Sequence, residues 1–152
     1  MTSNNYIKFA VMMAISFVIM YAVMFLNADV LSHVMLSTTR TYMAILMIAP
    51  MAISMMFFMW GMYKNKLVNY IILGTSTIIF IATLTMLRQQ TFISDVQWMK
   101  AMIPHHSSAI MVSQKAHLKD PEAIKLAKEI IEAQEQEIAQ MKKIISRLES
   151  KN

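Results

Sequence analysis

The 152-residue chain is rich in apolar residues, carries a net charge of +5 and contains no cysteine. Without thiols it has no route to a disulfide framework, a thiolate metal site or a cysteine nucleophile. Its C-terminal lysines are interleaved with Glu122, Glu129, Glu132, Glu135 and Glu137 and form no uniform basic stripe, which argues against nucleic acid as a partner.

Apolar residues are spread unevenly: up to Arg88 the sequence is mostly uncharged hydrophobic runs, and after it come most of the acids and lysines. This predicts a membrane domain over residues 1–90 and an aqueous domain over 91–152. A helix needs about 20 mainly apolar residues to cross the hydrocarbon layer. Three stretches qualify, at about 7–26, 43–63 and 67–87. The first holds Lys8 near its end, where a long stem reaches the headgroups. A signal peptide is not expected, because the run is long and Leu26 stands where cleavage after Ala28 needs a small residue. The second contains Pro50, read as a kink and not a break. In the third, Gly74, Thr75, Ser76 and Thr77 are small enough for another helix to approach closely.

Lysines at the short turn Lys64-Asn65-Lys66 predict a cytoplasmic position for it, since short loops follow the positive-inside rule best. The N-terminus is then cytoplasmic, and the 27–42 loop and everything after Arg88 face outward. Arg40, Arg88 and Lys100 pull weakly the other way. Met43, Met47, Met51, Met55 and Met59 recur every four residues, but each step turns the helix by about 40°, so they form no straight sulfur ladder and read as packing. His33 and Met35 lie in the outward loop, on the side of the hairpin, where they could supplement a site, although a loop histidine is ordinarily solvated.

Residues 92–119 have a helical pattern, and Asp120-Pro121-Glu122 marks a second start, with Asp as N-cap, Pro in the first helical position and an acid in the first turn. The second helix repeats Ile124, Ala127, Ile131, Gln134, Ile138, Met141, Ile145 and Leu148 at steps of three and four, the seam of a packed helix. An antiparallel hairpin follows. Its flanking charges, including Lys125 with Glu129 and Lys128 with Glu132, read as a solvated face.

The first helix of the hairpin carries the chemistry. On an ideal helix Met99, Met102, His106, Ser113 and His117 fall within a sector of about 60°, with His105 further round beside Met102 and Met111 nearly opposite it. Pro104 alters the phase between the two halves. Methionine at helical spacing is commonly core filler, and an isolated histidine is commonly a hydrogen-bonded core residue. Adjacent histidines bracketed by methionines are harder to explain by packing. Thioethers suit Cu(I) and imidazole serves copper, zinc and nickel alike, so the mixture points to copper.

At these residues the sequence resembles the domain-of-unknown-function 305 proteins, a largely bacterial group of ferritin-like helical proteins often associated with copper handling. The match runs from Phe92 to about Ile145. It rests on Met102-Ile103-Pro104-His105-His106, Ala109-Ile110 and Met111 in the first half, and on Asp120, Leu126-Ala127, Ile130, Gln134, Glu137-Ile138 and Met141 in the second. The resemblance implies metal ligands at Met102, His105, His106, Met111 and Met141, with Gln134 as a hydrogen-bonding group behind them. Met99 and His117 join the candidates from the helical face alone. Members with a longer soluble part form a four-helix bundle by themselves, so one hairpin on three spans implies half a ferritin-like bundle.

The fold expected is therefore all-α: three transmembrane helices, then an extramembrane antiparallel hairpin. The leading functional expectation is a membrane-anchored protein that captures Cu(I) or Ag(I) at the outer face for tolerance, storage or transfer, with membrane lipid, a second copy and a copper transporter as partners. The alternative is a non-catalytic assembly module with structural histidines. A ferritin-like oxidase needs carboxylates including a Glu-x-x-His pair. No such pair occurs and residues 92–119 contain no glutamate, so an enzyme is not expected.

Overall fold

A computed structural model of the chain describes residues 2–150, with side chains from 5 onward. Among them there are five α-helices and no strand: α1 (Thr2–Val23), α2 (Thr38–Phe58), α3 (Lys66–Arg88), α4 (Asp95–Lys115) and α5 (Pro121–Glu149). The first three are long and apolar enough to cross a membrane. The chain divides into two compact units, one containing the segment up to Met24 with Thr39–Phe92, the other containing Phe25–Thr38 with the chain from Ile93 onward. The 25–38 segment therefore belongs with the hairpin, although in sequence it lies between two long apolar stretches.

Within the first unit the helix ends depart from the apolar runs for identifiable reasons. α1 stops at Val23, short of residue 26, and Arg40 Nη1 donates to the Met24 carbonyl at 2.6 Å, just past the helix end where carbonyls lack helical partners. α2 begins five residues before the apolar run, because Thr38, Thr39 and Thr41 continue the helix through polar side chains. It ends at Phe58, and residues 60–62 form a short 3-10 helix that turns Tyr63 back onto α1, where its ring meets Tyr6 and Phe9 at centroid distances of 5.3 and 5.8 Å. Pro50 sits inside an unbroken α2.

Asn65 caps α3 by accepting from Val68 N, and the buried Asn69 amide donates to the Tyr63 carbonyl at 2.8 Å and accepts from the Tyr6 hydroxyl at 2.8 Å. A fully buried amide is thus satisfied on both its donor and acceptor sides, which removes the cost of burying it. Phe9, Ala52, Met56 and Tyr63 form the small core of this unit. An apolar cleft of about 550 Å³ lies between the helices, lined by Phe9, Met13, Phe17, Ile45, Ile72 and Ile79 among others.

The second unit is built on α4 and α5. Helix α4 starts at Asp95 and not at residue 92, because Phe92 adopts φ 59° and Gln90 φ 52°, left-handed conformations that a right-handed helix excludes. Ser94 supplies the N-cap, accepting from Gln97 N, and Asp95 puts an acid in the first turn. At α5, Asp120 accepts from Ala123 N at 2.9 Å, with Pro121 in the opening position and Glu122 in the first turn. The seam buries Met99, Ile103 and Ile110 of α4 against Ile138, Met141 and Ile145 of α5, with Ile131, Ile144 and Leu148 packed alongside. Ala127 is buried too, whereas Ile124, nearer the α4–α5 connection, is exposed. Lys100 Nζ reaches Glu149 Oε1 at 2.6 Å across the other end, consistent with antiparallel helices.

Candidate metal site

Pro104 interrupts one backbone donor but not the helix, so α4 carries residues 95–115 as one element and fixes the angular order of its side chains. The buried line is Met99, Ile103, Ser107 and Ile110, one helical stripe facing the seam and the 25–38 segment. Met102 packs at the margin of the same apolar cluster, in which Met99 and Met141 are buried and to which Met35 of the 25–38 segment also contributes. Four methionines thus border one core.

His106 lies one turn beyond Met102, its side chain 12% exposed, with Nδ1 3.0 Å from Glu137 Oε2 of α5. That is an ion-pair distance, although the angle falls short of a hydrogen bond, and Nδ1 has no other polar partner. Burial pushes the His106 imidazole below its ordinary pKa. Glu137 opposes that shift and His105 adds to it. The ring is accordingly neutral at pH 7, the state in which imidazole offers a lone pair to a metal. His105 is exposed, and its ring centroid stands 6.0 Å from that of His106.

The remaining candidates are less gathered. Met111 is half-buried, and the ideal-helix geometry that sets it opposite Met102 is kept by the continuous α4. Gln134 is half-buried on α5, one turn before Glu137 and Ile138. His117 lies beyond the cap of α4 at Ala116, exposed in the connection, and so does not share the helical face on which an ideal continuation would put it. Among the described residues, no three His, Cys, Asp or Glu side chains gather as a metal-binding group.

Two features escape a reading of the sequence. Glu137 lies in the Glu137-Ile138 segment that carries the resemblance but has no role there, yet it meets His106. Its spacing of four from Met141 and three from Gln134 was the signal available. The second is the docking of the 25–38 segment. Ser107 Oγ, fully buried, accepts from Asp29 N at 2.8 Å and lies 2.9 Å from His33 Nδ1, while Asn27 Nδ2 donates to Ser108 Oγ at 2.8 Å. Gln97 Oε1 accepts from both Thr38 N and Thr38 Oγ1. His33 is thus held in place, and burial first, then Lys142, lower its pKa against the opposing Asp29.

These elements define an all-helical protein with three membrane-length helices and a polar helical hairpin bearing a histidine pair. The chain belongs to the family described as Domain of unknown function (DUF305), whose model matches residues 78–145. It is similar to an uncharacterized protein of Acanthamoeba polyphaga mimivirus, 35% identical over 147 residues that cover 93% of each chain. No solved structure matches it.

Proposed function

We propose that the chain is a membrane-anchored metal-binding protein that captures Cu(I), or Ag(I), at the outer face of the membrane for copper tolerance, storage or transfer. The observation that carries this reading is the largely buried His106 ring beside that of His105, with centroids 6.0 Å apart. With metal–nitrogen bonds of about 2 Å, one ion can be shared when a nitrogen of each ring turns towards the space between them. Met102, one turn away, and Met141 supply the soft donors that favour Cu(I) over Zn(II). Met111 and Met99 are further thioethers on the same helix. The partners are membrane lipid, a second copy and a copper transporter that receives the ion.

Anaerobic titration of the purified protein with Cu(I), Ag(I) and Zn(II), counting metal per chain, tests it. Selective Cu(I) or Ag(I) binding that is lost in the His105→Ala/His106→Ala variant is expected. Equal binding by that variant eliminates the site, and preference for Zn(II) eliminates copper. The sidedness rests on Lys64 and Lys66 holding their turn in the cytoplasm. A cysteine at Ser150→Cys should then react with an impermeant thiol reagent on intact cells, and reaction only after permeabilisation reverses the topology.

A second reading, a non-catalytic assembly module, is favoured by a specific observation: Met99 and Met141 are fully engaged as apolar core and His33 as a hydrogen-bonded tether. In that case neither Cu(I) nor Ag(I) binds above background.

A further inference from the structure

We propose that Glu137 is a positioning residue for His106: its carboxylate accepts the Nδ1 proton of the ring, so that Nε2 is the nitrogen left to bind a soft cation. The inference rests on the copper-capture reading for its purpose, though not for its structural content. His106 Nδ1 is buried from solvent and Glu137 Oε2, at 3.0 Å, is the polar atom facing it. A neutral imidazole carries its proton on one nitrogen or the other. With the proton on Nε2, a bare Nδ1 lone pair, itself buried from solvent, would confront a carboxylate lone pair at that distance. With the proton on Nδ1, the same approach becomes a charge-assisted contact. The half-exposed Glu137 side chain has the freedom to rotate and improve the angle.

The register supports the same assignment. Glu137 and Met141 are four apart on α5, and Met102 and His106 are four apart on α4, so each pair shares a helix face. Met102 and Met141 belong to one packed cluster, which brings the two faces together at the seam. A carboxylate behind a ligating histidine fixes its tautomer and ring orientation and raises its basicity. Sequence spacing alone gives Glu137 no such role, which arises from the pairing of the two helices.

The test uses the full-length, metal-free protein in lipid nanodiscs with 15N-labelled histidine, at neutral pH or above. Long-range proton–nitrogen spectra are expected to show a protonated Nδ1 and a bare Nε2 at His106. Glu137→Ala should shift the ring towards the opposite tautomer and weaken Cu(I) binding about 10- to 100-fold. Glu137→Gln, which retains a carbonyl acceptor, should recover most of the affinity. A wild-type His106 protonated on Nε2, or a Glu137→Ala variant with unchanged tautomer and unchanged Cu(I) affinity, overturns the proposal. A protein with the expected tautomer and its Glu137 dependence that binds no Cu(I) leaves the positioning role standing and overturns the copper reading instead.

Discussion

Met99 and Met102 stand three residues apart on α4, yet their surroundings assign them different work. Met99 is buried among Ile103, Ile138 and Ile145, while Met102 lies at the margin of that cluster one turn before His106. Met99→Leu keeps volume and apolarity, so it should cost less than about 1.5 kcal/mol in chemical denaturation. It should also leave Cu(I) affinity unchanged. Met102→Leu should spare the fold equally and lower Cu(I) affinity several-fold in a competition titration, because a carbon there cannot donate to the ion. The opposite ranking would exchange the roles of the two sulfurs. The histidines make a separate prediction. His33 and His106 are both held below their ordinary value, burial being the first cause in each. Between the folded values and about 6.5 the unfolded chain therefore binds more protons than the native one, and stability falls as pH drops through that window, levelling off below it. Urea unfolding of the metal-free protein at pH 7 and pH 5 should show this loss. It should shrink in a His33→Gln/His106→Gln variant, and an unchanged pH dependence would remove burial of these rings as its source.

Helix starts were legible in the sequence because caps are local chemistry. Asp120 with Pro121 and Glu122 marks the start of α5 within three consecutive residues, and the structure has the bond from Ala123 N to Asp120 that this spacing implies. Asp120→Ala should cost about 1 kcal/mol in hairpin stability by thermal melting. The start of α4 was equally local, in Ser94 and Asp95, but apolar Phe92 draws the helix too far forward unless its positive φ is known. The α5 seam was legible for the same reason, since steps of three and four residues encode one face, whereas Ile124 shows that the period does not say where burial along that face stops. The docking of the 25–38 segment was not legible. It joins Asp29 and His33 to Ser107 across more than seventy residues, through single polar atoms that carry no periodicity. Its energetics can be isolated at Ser107, whose hydroxyl serves both. Ser107→Ala strands the Asp29 amide and should cost about 1–3 kcal/mol. Hydrogen exchange should then quicken at 29–34 while the α5 amides stay protected, and uniform quickening would show that the hydroxyl supports the hairpin as a whole.

At the scale of the whole molecule, exposed apolar surface falls on the membrane-length helices, on the hairpin and on the 25–38 segment, where Leu26, Leu31 and Leu36 stand out. On α1 and α3 it covers nearly the entire helix, which suits lipid and would be an aggregation liability in water. On the hairpin it includes Val112, Leu118, Ile124 and Leu126 around the α4–α5 connection, and separately Trp98 near the start of α4. Lipid accounts for the surface of the membrane-length helices. The strip around the α4–α5 connection calls for a protein surface, because α5 is otherwise a polar amphipathic helix with Lys125, Lys128, Glu129 and Glu132 beside that strip. The 25–38 segment already occupies the Gln97, Ser107 and Ser108 side of α4, so it does not cover these residues. A second copy supplies an identical strip, and a two-fold pairing buries both at once. Two hairpins then make a four-helix bundle, the arrangement in which helices of this pattern enclose their apolar stripes. Light scattering or native mass spectrometry with detergent subtracted should report a dimer at micromolar concentration. Leu126→Glu, at an exposed position, should convert it to a monomer of unchanged helicity by circular dichroism. A parent protein that stays monomeric with and without Cu(I) would end the dimer hypothesis and turn attention to the membrane surface or an unrelated protein as the cover for this strip.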